Sequence, residues 1–140
     1  MGCELCEGDG GRVLWRDDFC RIVRAAVQDY PGFCRVILNR HVREMTDLDA
    51  PERERLMRVV FACEQALREL LRPDKVNLAS LGNQVPHLHW HVIARHRDDR
   101  HFPDVVWALP RRAGGSVRAE AGDADIAARL AQLLGTPAAG

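Results

Sequence analysis

At 140 residues the chain can bury a sizeable core without disulfide staples, and its length is that of one domain, taken as 1–140 with a C-terminal extension over 111–140. It is 46% hydrophobic and 29% charged, and 20 Lys plus Arg balance 20 Asp plus Glu, so nothing in the bulk charge asks for nucleic acid or an anionic membrane. The odd count of cysteines (Cys3, Cys6, Cys20, Cys34, Cys63) argues against a closed disulfide framework, and no apolar run approaches the roughly 20 residues of a membrane span. The N-terminus lacks the basic-then-apolar order of a secretory signal, so a reducing cytoplasm is the expected compartment.

In chain order, Gly8 to Gly11 reads as a turn-rich loop, and Val13–Trp15 and Cys20–Ala25 as two short strands joined at Arg16-Asp17-Asp18. Asp29-Tyr30-Pro31-Gly32 is a turn, followed by a β-rich run from Phe33 to Leu38. Asp49 with Glu52 three residues on predicts a capping box, and Pro51 is tolerated in a first turn. Leu56, Val60, Cys63, Leu67 and Leu70 recur at helical spacing, so a long helix is expected over Pro51–Leu71, ending at Arg72-Pro73. Lys75–Leu81 and His87–Arg95 read as strands, Val105–Trp107 as a last short strand, and Asp123–Leu134 as a final short helix, with Gly135–Gly140 frayed. Strands, one long helix, strands and a short helix make an α+β fold with an antiparallel sheet, not the alternation of a doubly wound one.

His87-Leu88-His89-Trp90-His91 carries the chemistry. In a strand, His87, His89 and His91 share one face about 6.5–7 Å apart, while Leu88, Trp90 and Val92 turn to the core. One histidine in a strand is ordinarily structural; three in strict alternation are a built polar surface, or a ligand set for a metal, since His-x-His is a common ligand pair.

The motif, with Asn77 in the preceding strand, Gly82-Asn83-Gln84-Val85-Pro86 leading in and His41 at the end of an earlier strand, resembles the histidine-triad (HIT) family in its small bacterial form. The resemblance spans about Cys20 to Trp107. It implies a HIT-like fold and a hydrolase or nucleotidyltransferase acting at the α-phosphate of nucleotide conjugates such as phosphoramidates, dinucleoside polyphosphates or nucleotidyl sulfates. His89 would attack phosphorus to form a nucleotidyl-histidine, with its tautomer fixed by a main-chain carbonyl, and His91 and His87 would assist. Asn77, Gln84 and main-chain groups of Asn83–Val85 would bind phosphate. Gln84 stands where eukaryotic members carry a small hydroxyl; a carboxamide donates a hydrogen bond but cannot relay a proton. Pro86 and the Leu38-Asn39-Arg40 lead into His41 also depart from the usual pattern.

The resemblance also implies a structural zinc on Cys3, Cys6, His41 and His87, with no cofactor required for catalysis, and a homodimer with contacts near Trp107 and the long helix. The alternatives are a non-catalytic nucleotide-binding sensor and a hydrolase using the histidines to hold a catalytic metal. Cys20, Cys34 and Cys63 read as core thiols, and Arg95–Arg100 with His96 and His101 as a solvated loop from which Arg95 could reach a phosphate.

Overall fold

The computed structural model describes residues 2–114 and 121–136, so most of the tail expected to fray and part of the C-terminal extension lie outside the described residues. The order is α1 (Glu4–Glu7), β1 (Arg12–Arg16), β2 (Cys20–Arg24), β3 (Phe33–Leu38), a 3-10 turn (Met45–Asp47), α2 (Ala50–Leu71), β4 (Lys75–Ala79), β5 (His89–Arg95) and α3 (Asp123–Leu134). The five strands form one antiparallel sheet in the order β1-β2-β3-β5-β4. The fold is α+β, as expected.

Period-two alternation assigns the two faces of this sheet. Cys20, Ile22, Cys34, Val36 and Val92 are fully buried and pack with Leu56, Val60, Cys63 and Leu67 of α2. Burying such side chains is worth about 1.5–3 kcal/mol each. The register sets Ile37 opposite His89, Arg35 opposite His91 and Ala79 opposite His91, so these residues occupy the other face.

The capping box forms as predicted: Glu52 N–H donates to Asp49 Oδ1 (2.9 Å) and Asp49 N–H to Glu52 Oε1 (3.1 Å). The helix ends with Arg72 in the left-handed region (φ 48°, ψ 55°), the residue before Pro73 being excluded from the right-handed helix. None of the described helices is long and apolar enough to cross a membrane.

Three local expectations are corrected. Val105–Trp107 is not a strand: it runs through turns, Ala108 N–H closing on Val105 O (3.1 Å), and Trp107 meets the face of the sheet by ring contact instead of extending its ladder. The strand expected from His87 begins at His89, because Pro86 has no N–H and His87 N–H bonds locally to Val85 O (2.8 Å). Arg95–His101 is not a solvated loop, since Arg95, Asp99 and His101 are buried. The short helix α1, which follows Cys3 and contains Cys6, had no sequence signal; it is held by Arg21, whose guanidinium donates to the carbonyls of Leu5 (2.6 Å), Gly8 (3.1 Å) and Asp9 (2.9 Å). Gly10, at φ 83°, allows this segment to lie close to the sheet: a Cβ there would come within 2.7 Å of Ile37.

Candidate functional site

The four described histidines of interest fall into two pairs. His89 and His91 lie edge to face at 5.0 Å on the open face of β5, and His87 and His41 pair at 5.0 Å beside the N-terminal cysteines. His87 therefore shares the motif's spacing but points to different company, because the chain bends before β5.

His89 Nδ1 lies 2.6 Å from the main-chain oxygen of His87. A carbonyl can only accept, so Nδ1 carries the hydrogen and, in the neutral ring, Nε2 keeps the lone pair. His89 as a residue is 8% exposed. Ser80 Oγ donates to the main-chain oxygen of His89 (2.8 Å) and ties β4 to the same point. His91 is 7% exposed, and burial, then His89 and Arg35, lower its pKa to about 4. At neutral pH it is thus an uncharged ring that can donate one hydrogen bond. Its Nδ1 is buried without a partner among the described residues. Trp107 (4.9 Å, 68°) and Phe33 (5.6 Å, 84°) form an aromatic wall against His91.

In the second pair, His87 Nε2 lies 2.6 Å from Leu38 O, so it carries the hydrogen and Nδ1 presents a lone pair. That Nδ1 lies 3.3 Å from Cys3 Sγ, 3.4 Å from Cys6 Sγ and 3.2 Å from His41 Nδ1, with Cys6 Sγ and His41 Nδ1 3.5 Å apart. All four donor atoms lie within 4.8 Å of one another. Tetrahedral zinc with ordinary bond lengths separates its ligands by roughly 3.3–3.8 Å, so this set fits a metal ion in both chemistry and spacing.

The expected phosphate-binding residues differ in their surroundings. Asn77 Oδ1 accepts from Arg95 Nη1 (2.8 Å). Asn83 and Gln84 are exposed and make no side-chain hydrogen bond among the described residues, while Val85 packs beside Leu5, Val23 and Ile37. Arg95 grips Asp99 through two bonds (2.8 and 3.0 Å) instead of facing a phosphate. Sequence reasoning passed over Ser80, Phe33, Arg35 and the Asp99 cluster; only Arg35, a charge interrupting the apolar run Phe33–Leu38, left a signal.

A family model described as the HIT domain matches residues 10–98. Among solved structures, the chain is similar to a histidine triad protein of Bradyrhizobium japonicum (28% identity, TM-score 0.67, 77% of this chain and 81% of that one). It is also similar to a histidine triad protein of Marinobacter aquaeolei (26%, 0.70, 95% and 97%). A hypothetical histidine triad nucleotide-binding protein of Sulfolobus tokodaii shares the fold (18%, 0.62, 89% of each). No curated protein matches.

Proposed function

The chain belongs to the HIT domain family, and from that premise we propose that it binds a nucleotide conjugate and cleaves it at the α-phosphate through His89. The observation that carries this reading is the hydrogen bond from His89 Nδ1 to His87 O, which in the neutral ring places the lone pair on Nε2. Nε2 attacks phosphorus, the bond to the leaving group breaks, and that group departs with the electron pair. Water then attacks the nucleotidyl-histidine, displaces Nε2, and releases the nucleoside monophosphate. His91, neutral at pH 7, donates to a non-bridging oxygen as charge develops there.

Adenosine phosphoramidate, diadenosine tetraphosphate and adenylyl sulfate offered in parallel, with EDTA present, test the reading. Turnover of at least one, undiminished by chelator, is expected. Binding without product would make the protein a sensor, and loss of turnover in EDTA with Tm unchanged would favour a catalytic metal over the loss of a structural one.

Cys3, Cys6, His41 and His87 would hold a structural zinc ion, which would supply a cross-link between α1 and the entry to β5. Close to one zinc per chain is expected in protein purified without chelator, falling well below that in Cys6→Ser. Wild-type protein with little zinc would remove this part of the proposal.

A further inference from the structure

Arg35 is a charged residue on the histidine face that the steps above do not use. It sits directly opposite His91 in the β3–β5 register, where cross-strand side chains lie about 4.5–5.5 Å apart at Cβ. Its guanidinium is half-buried and stands 5.8 Å from the Phe33 ring. The arginines buried in the sheet are each tied down by several bonds: Arg21 by main-chain carbonyls and Asn39, Arg95 by Asp99 and Asn77, and Arg24 by the Asp123 carboxylate and Pro31 O, with only its Nη2 unpaired among the described residues. Arg35 makes a single hydrogen bond, to Gly10 O (3.1 Å), and no ion pair among the described residues. Of five N–H donors in a fixed fork, most are therefore free. Burial lowers its pKa more than Glu4 raises it, a further sign that this charge lacks a partner. Beside it, His91 Nδ1 is a buried polar atom also left unpaired. A cation and an orphaned ring nitrogen side by side, backed by Phe33 and Trp107, form an incomplete polar site that an anion would complete.

We propose that Arg35 is a second anion contact, so that the site takes a nucleotide bearing two phosphoryl groups, the one beside His89 and a second held in the fork of Arg35. This rests on the nucleotide reading above and names the substrate class for it. The second group is the next phosphate of an anhydride chain or a phosphate on the ribose; both offer the same oxygens to the guanidinium.

Calorimetric titration of the whole chain with AMP, α,β-methylene-ADP and adenosine 3′,5′-bisphosphate separates these sources. One of the doubly phosphorylated ligands is expected to bind at least about tenfold more tightly than AMP. In Arg35→Gln that advantage disappears while AMP affinity changes less than about threefold, and Arg35→Lys, which keeps charge without the fork, retains part of it. Equal binding of all three ligands by the wild type overturns the proposal alone. So does an equal loss for all three in an Arg35→Gln protein whose Tm matches the wild type. If the wild type binds none of them, AMP included, the nucleotide reading falls with it.

Discussion

His89→Asn is expected to lower kcat by more than about a hundredfold, at least ~2.7 kcal/mol in barrier. Asparagine keeps polarity and approximate size, and its amide can still donate to His87 O, the bond that orients the native ring at 2.6 Å. What it lacks is the ring nitrogen on the far side, which no neighbouring group can replace: the His91 ring is centred 5.0 Å away and is oriented by the aromatic wall, not by a carbonyl. The side chain leaves the core on α2 untouched, so Tm and AMP binding should stay close to wild type. Wild-type protein mixed with substrate and quenched in neutral denaturant should carry an acid-labile nucleotidyl adduct on the peptide containing His89. A variant retaining more than about one-hundredth of wild-type kcat would rule out attack by this residue.

The second large effect is on stability. Asp99 accepts two bonds from Arg95, one from Tyr30 O–H (3.1 Å) and main-chain N–H bonds from His96 (3.2 Å), His101 (3.0 Å) and Phe102 (2.8 Å). Burial alone would raise its pKa, but Arg95 and the three N–H groups outweigh it and hold the carboxyl well below the ordinary carboxylate range. Asp99→Asn leaves Arg95, 2% exposed, as a buried charge without its counter-ion. Breaking such a pair from one side costs about 3–5 kcal/mol, roughly 10–15 °C of Tm at this chain length. The pH dependence follows from the sign of the shift. The folded carboxyl titrates below its unfolded value of about 3.9, so its contribution is complete above that value and is lost as pH falls toward the folded pKa. The stability gap between wild type and Asp99→Asn should therefore be constant from pH 7 to about pH 5 and narrow below about pH 4. A gap under about 1 kcal/mol at pH 7 would show that Arg95 finds other partners.

Elements governed by local rules were legible in the chain. The Asp49–Glu52 box and the apolar spacing from Leu56 to Leu67 mark α2 almost to the residue, because capping and helical periodicity are local. The pairing of His89 with His91 followed from alternation in a strand. Features made by distant residues were not legible. No pattern in His96–Arg100 says that Asp99 will gather three N–H groups and a tyrosine 69 residues away in sequence. Val105–Trp107 has the composition of a strand, yet it meets the sheet through side chains, the Trp107 ring on Phe33 and His91 and Val106 in the cluster of Phe33 and Ile93, which only the fold brings near. The bend after Pro86 that turns His87 toward the cysteines breaks the alternation at the one residue where strict period two would have grouped all three histidines.

The position of β5 also bears on when this surface can come into being. A nascent chain ending at Ala79 already holds four of the five strands, but in two unconnected parts: the meander β1-β2-β3 and a solitary β4 with no neighbour to pair with. Only the arrival of His89–Arg95 joins them, since β5 lies between β3 and β4 and bonds to both. Those pairings are distant in sequence and form slowly compared with the hairpins before them. The segment that bears His89 and His91 is thus also the keystone of the sheet: completing the fold and bringing this histidine pair to its open face are one event, and a truncation before Arg95 forfeits both.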